Sequence, residues 1–143
     1  MGRAGEDPPM NRPVLLLRCA YWIGAIFDAL TLVPLLVPSV GAEIFGMVGF
    51  VPSPEYRYAT ALAAALMLGW TALLLWADRR PLERRGVLPL TVLAIAGLAA
   101  AGALAVSLGL IPWQRMLPTW LWQAALASFF LFAWSRARSA AVS

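Results

Sequence analysis

Neither histidine nor lysine occurs in this chain, and there is a single cysteine, Cys19. Without histidine the commonest side-chain ligand of metals and haem is missing. One cysteine allows no intrachain disulfide and no thiolate metal cluster. Near the inner end of the first apolar run, Cys19 reads as a small packing residue, with palmitoylation as the alternative. Charge is also scarce. Only 13% of residues are charged against 62% hydrophobic, a balance no soluble domain carries. No Ser-His-Asp or Cys-His set can be assembled, no glycine-rich phosphate loop is present, and no two carboxylates share an apolar stretch. The residues therefore call for no catalytic group, metal or cofactor.

What is present is apolar sequence in long runs. A chain of 143 residues is one domain's worth. It divides into Val14–Val37, Tyr58–Ala77, Val87–Ile111 and Leu117–Trp134. At ~1.5 Å of rise per residue each is long enough, or nearly so, to cross a hydrocarbon core of ~30 Å. Backbone groups in a bilayer must be satisfied within the segment, so the runs are expected to be helices. None alternates apolar with polar at period two, which argues against strands. The polar start MGRAGEDPPMNRP, the length of the first run and the lack of a small-residue cleavage site disfavour a signal peptide. The expected fold is all-α: an antiparallel four-helix transmembrane bundle over 14–135. Residues 1–13 and 136–143 are expected to be cytoplasmic tails, with MGRAGEDPPM and RARSAAVS disordered.

All the positive side chains are arginines, and their placement predicts orientation. Arg3, Arg12 and Arg18 lie in or near the N-terminal tail, Arg79, Arg80, Arg84 and Arg85 between runs two and three, and Arg136 and Arg138 after run four. Arg57 and Arg115 fall on the other side. The positive-inside rule then puts both termini in the cytoplasm, with the arginine-dense hairpin Ala77–Gly86 beside them. A net charge of +4 could serve nucleic acid, but arginines that flank membrane spans are accounted for by topology and anionic lipid headgroups. Membrane lipids are the expected partners, and nucleic acid is not.

Pro34 predicts a kink near the outer end of helix 1, and Pro38 with Gly41 predicts its end. The connection to helix 2 is too short to span but carries Ile44, Phe45, Met47, Val48, Phe50 and Val51. It is expected to form a short interfacial segment or to fold over the mouth of the bundle. Tyr56, Tyr58, Trp76, Trp113, Trp120 and Trp134 read as aromatic anchors at the two interfaces. Trp22, Trp70 and Trp122 lie deeper, where packing is the ordinary role and lining an apolar ligand pocket the alternative.

Two rows of small residues recur at four-residue spacing: Ala61, Ala65 and Gly69 on helix 2, and Gly97, Ala101, Ala105 and Gly109 on helix 3. Such rows let helix backbones approach closely in lipid. They predict packing within the bundle, or, for the helix 3 row, a dimer face. Gln123, Ser128, Thr71 and Ser107 are expected to bond across helices or back to their own backbone.

Asp28 stands apart. A carboxylate in the middle of a transmembrane helix costs ~2.5–3.5 kcal/mol on insertion scales and faces protein or water. Tyr21, seven residues earlier, shares its face and could extend a polar path toward the cytoplasm. Arg18, ~15 Å away along the axis, is too far to pair and is expected to snorkel to the headgroups. Arg57, at the outer start of helix 2, is the expected partner, forming a structural clasp. Left unpaired, Asp28 would be neutral at this depth, a state suited to proton coupling or recognition of a cationic ligand.

Tyr21-Trp22-Ile23-Gly24-Ala25-Ile26-Phe27-Asp28, Tyr56-Arg57-Tyr58-Ala59, Leu66-Met67-Leu68-Gly69-Trp70-Thr71 and Leu75-Trp76-Ala77-Asp78-Arg79-Arg80-Pro81 together resemble an uncharacterised group of small four-span prokaryotic integral membrane proteins. The resemblance covers roughly the first two-thirds of the chain. It implies a four-helix fold and no activity. Two readings of function stay open. One is a protein that binds or transports a small solute, ion or lipid-like ligand through a site of Asp28, Arg57, Tyr21, Trp70 and Gln123, as a homo-oligomer. The other is a non-catalytic accessory or assembly subunit of a larger membrane complex.

Overall fold

A computed structural model of the chain describes residues 12–139, which form five helices and no strand. They are α1 (Arg12–Leu36), α2 (Pro38–Phe45), α3 (Pro54–Asp78), α4 (Val87–Ser107) and α5 (Trp113–Ser139). All but α2 are long and apolar enough to cross a membrane. Three of these four outrun their apolar stretches, because helix does not stop where hydropathy does. Ser53 caps α3 by accepting the Tyr56 amide, with Pro54 in the first turn where no amide partner is needed. At the other end of the chain, Arg136 and Arg138 belong to the last turn of α5 rather than to a tail. The cation-favouring helix C-terminus holds them there. Helix α4 is shorter than expected: it ends at Ser107, and Gly109 then adopts φ 70° in the turn toward α5. The disorder expected of the C-terminal tail is not found over 136–139, which continue α5, and the rest of both tails lies outside the described residues.

Pro38 ends α1 as expected, but it also opens α2, whose first turn tolerates proline. Gly41 does not terminate a helix. It is the close-approach point of α2 on α1, where a Cβ would stand 3.0 Å from the Pro34 carbonyl oxygen. The left-handed Gly46 (φ 68°) caps α2 beside the Arg115 side chain. This short helix thus rests on the outer ends of α1 and α5.

The four long helices are arranged in the order α3–α1–α5–α4, each antiparallel to its neighbours. Helix α1 packs closely on α3 and also on α5, α4 packs on α5, and α3 and α4 scarcely meet. Only at the arginine-rich end do all four join one core: Leu17, Ala20, Tyr21 and Ala25, with Leu74 and Ala77, Val87 and Leu88, and Phe130, Ala133 and Ala137. Gly24 makes this layer possible, since a Cβ there would stand 3.0 Å from Leu74 and 3.2 Å from Phe130. Toward the opposite end the bundle loosens. Trp70 of α3 donates to the Thr91 hydroxyl of α4 at 3.3 Å. Farther out, Leu66 is 70% exposed and Leu98 50% exposed. Beyond the Trp70–Thr91 bond α3 and α4 have little contact with each other.

The small-residue rows do not pack this bundle, contrary to expectation. Ala61, Ala65, Gly69, Gly97, Ala101 and Gly109 are exposed, and Ala105 is half-buried. A Cβ added at Gly69, Gly97 or Gly109 would touch nothing within 4 Å. The inward face of α3 carries Ala64, Leu74 and Ala77 instead. Alanine is frequent all round these helices, so four-residue spacing alone does not select the contact face.

Candidate ligand site within the bundle

On α1 the inward stripe runs Leu17, Ala20, Tyr21, Gly24, Ala25 and then Asp28, spaced by three and four residues. Asp28 is therefore an interior residue. It lies one turn, ~6 Å, beyond the Gly24–Leu74–Phe130 layer, where the packed core gives way to the opening. Its Oδ2 atom is shut off from solvent and has no hydrogen-bond partner. On α5 the inward stripe carries Met116, Gln123, Phe130, Ala133 and Ala137. Gln123 stands two turns beyond Phe130, and its Oε1 atom is likewise buried without a partner. Phe27 and Trp122, the neighbours of these two residues, stack at 4.6 Å between ring centroids. That stack sets the two acceptors within about one helical turn of each other in height on adjacent helices.

Unsatisfied buried oxygens are uncommon in proteins, because each forgoes a hydrogen bond it made to water. Three lie among the described residues: Asp78 Oδ1 faces Arg18 in an ion pair, whereas Asp28 Oδ2 and Gln123 Oε1 have no charged group opposite them. An ionised Asp28 and the Gln123 carbonyl both accept, so that state calls for a donor that the described residues do not supply. Among the described residues no three histidine, cysteine, aspartate or glutamate side chains gather as a metal site would require.

The expected clasp between Asp28 and Arg57 is absent. The ion pairs among the described residues are Arg18 with Asp78 at 3.6 Å and Arg80 with Glu83 at 3.2 Å. Arg57 is exposed and lines a small outer cleft with Leu35, Leu36, Pro38, Thr60 and Ala61. At about 120 Å³ that cleft holds a few water molecules, not a solute. Arg57 begins α3 at the end of the bundle away from the arginine hairpin, where turning to water costs it less than reaching along the bundle to Asp28.

The true connection of α1 to α3 lies at the other end. Arg18 does not snorkel away but pairs with Asp78, whose Oδ2 also accepts the Trp22 indole N–H at 3.3 Å. Tyr21 donates its hydroxyl to the Arg84 carbonyl at 3.1 Å and lies 3.5 Å from that of Pro81. It latches the arginine hairpin onto α1 and builds no path from Asp28. Arg84 in turn lies 3.4 Å over the Trp76 ring and donates to the Trp76 carbonyl. Asp78 is the residue that sequence reasoning missed. The signal was available: in an antiparallel hairpin, an arginine one turn into the first span meets a carboxylate at the close of the second.

The remaining candidates separate as follows. Trp70 is half-buried against the core and bonded to Thr91, so it closes the floor of the opening rather than offering a free indole. Thr71 bonds back to Met67 and Ser107 to Leu104, at 3.0 and 2.8 Å. Ser128 and Cys19 are exposed. A separate groove of about 430 Å³ runs between α4 and α5, with Gln123 on its wall.

Four apolar spans around a shared core define a polytopic α-helical membrane protein. Comparison of the chain with known protein families, with curated proteins and with solved structures finds no match.

Proposed function

We propose that the protein binds a small ligand bearing a positive charge or hydrogen-bond donors, between α1 and α5, through Asp28 and Gln123. The observation that carries this is the pair of buried acceptor oxygens without donors, set where the bundle opens. A cation or amine gives both oxygens the partner they lack, and it relieves the cost of a carboxyl group held at membrane depth. Binding stabilises the folded state in proportion to ligand occupancy. In detergent or nanodiscs, small organic cations therefore raise the thermal unfolding midpoint and anions do not. Asp28→Asn keeps the shape and loses the charge, so it abolishes the shift and leaves the ligand-free midpoint unchanged. An equal shift in the variant would remove Asp28 from the site.

A second reading, an accessory or assembly subunit, is favoured by the exposed small rows on α3 and α4. Those faces suit close helix contacts with a second copy or a larger membrane complex. The resemblance to small four-span prokaryotic membrane proteins is compatible with either reading.

The proposed orientation places both chain ends and the arginine hairpin in the cytoplasm, at the inner membrane of a prokaryote. Eight arginines, Arg12, Arg18, Arg79, Arg80, Arg84, Arg85, Arg136 and Arg138, gather at that end of the described helices. A reporter active only outside the cytoplasm is expected to be silent when fused after Ser143. Activity there would reverse the orientation.

A further inference from the structure

We infer that the ligand of the Asp28 site is a membrane-borne amphiphile, an amine head on an apolar chain, whose chain lies in the groove between α4 and α5. The inference rests on the proposed Asp28–Gln123 site and adds where the rest of the ligand goes. Gln123 links the two places: it lies on the inward stripe of α5 with its oxygen buried, and its side chain also walls the groove. The groove exists because alanines oppose one another there, Ala96 and Ala99 on α4 against Ala124 and Ala127 on α5. Its remaining lining, Val92, Ile95 and Trp120, is apolar but for the indole N–H. At about 430 Å³ it falls among the volumes of small-molecule sites, whereas the cleft at Arg57 does not.

The route in has the same character. Above the Trp70–Thr91 bond, Leu66 and Leu62 one and two turns along the Trp70 side of α3, and Leu98 two turns past Thr91 on α4, are all at least half exposed. A bare hydrated ion loses its water on passing such walls, with nothing to replace it. An amphiphile already in the bilayer loses little, because its chain exchanges lipid contacts for protein contacts. Its amine then gains the two acceptors. The head decides the state of Asp28: an ammonium favours the ionised carboxylate and pairs with it, a carboxylate head would oppose it by like charge, and an alcohol would leave Asp28 neutral.

The test measures binding of dodecylammonium, methylammonium and dodecanoate to the full chain in zwitterionic nanodiscs, with empty nanodiscs subtracted. Dodecylammonium is expected to bind at least tenfold more tightly than methylammonium, and dodecanoate not to compete. Ala124→Leu fills the groove, so it removes that tenfold advantage and leaves methylammonium affinity as it was. Ala96→Leu, on the facing helix, does the same and serves if the first variant fails to fold. Asp28→Asn weakens both amines. Equal affinities for the two amines, dependent on Asp28 but indifferent to both groove variants, would overturn the groove and leave the Asp28 site standing. Chain-dependent binding that ignores Asp28→Asn would overturn the amphiphile assignment at its head, and no amine binding to the wild type would overturn the site itself.

Discussion

Phe130→Ala is expected to lower stability by about 3 kcal/mol, the lower end of the range for deleting a buried aromatic ring. Phe130 is 1% exposed and touches Gly24 in the one layer where all four long helices share a core. The lower end applies because the helices unfold into lipid rather than water. The transfer term shrinks, while the cavity and lost dispersion contacts remain. Gly24→Leu attacks the same layer from the opposite direction. The added side chain would meet Leu74 and Phe130 at contact distances a Cβ alone already crowds, at a cost of roughly 1–3 kcal/mol from overpacking. Ala101→Leu is the control. On an exposed face it should change monomer stability by less than about 0.5 kcal/mol. Unfolding midpoints in mild detergent compare the three, and a large effect of Ala101→Leu on a monomer would mean that α4 packs through its small row after all.

Energetic coupling is expected between Arg18 and Asp78 and not between Asp28 and Arg57. Asp78→Ala removes the counter-charge of Arg18 and the acceptor of the Trp22 indole, at a cost of about 1.5–3 kcal/mol for a charged hydrogen-bonding group. With Arg18→Ala it forms a double-mutant cycle whose coupling is about 1 kcal/mol, since the arginine is half exposed and water screens the pair. The cycle at positions 28 and 57 is expected near zero. If the Arg57→Ala variant were rescued by adding Asp28→Asn, the outer clasp would exist and the site proposed at Asp28 would lose its unpaired carboxyl. Salt provides an independent check. Raising ionic strength weakens the exposed Arg18–Asp78 attraction and leaves the Asp28 environment, away from solvent, unaffected.

Side-chain directions account for where sequence reasoning succeeded and failed. Asp28 and Gln123 were recognisable because polar groups in an apolar run are costly wherever they point. Their lack of partners was not, since Arg57 is within plausible reach by length alone, and only the structure shows it turned outward. Tyr21 was correctly put on the face of Asp28, yet its hydroxyl goes to the hairpin because a phenol points back toward the start of its helix. The alanine and glycine rows misled for a simpler reason: any helix so rich in alanine holds several such rows, and spacing cannot say which one meets a neighbour.

The sequence by itself determined that this chain is helical, lies in a membrane, crosses it four times and carries its arginines at one end. Those properties follow from terms that each residue contributes locally: transfer to lipid, backbone satisfaction within one helix, and charge at a helix end. Tertiary structure alone decided the order α3–α1–α5–α4, the core gathered at the arginine-rich end, and the parting of α3 from α4 above Trp70 and Thr91. Lipid is as apolar as the helix faces, so hydrophobicity does not choose among neighbours. The choice rests on shape, as at Gly24, and on a few directed polar contacts, as at Asp78. Both depend on which side chains face each other across a gap of a few ångströms, and that is information only the assembled bundle holds.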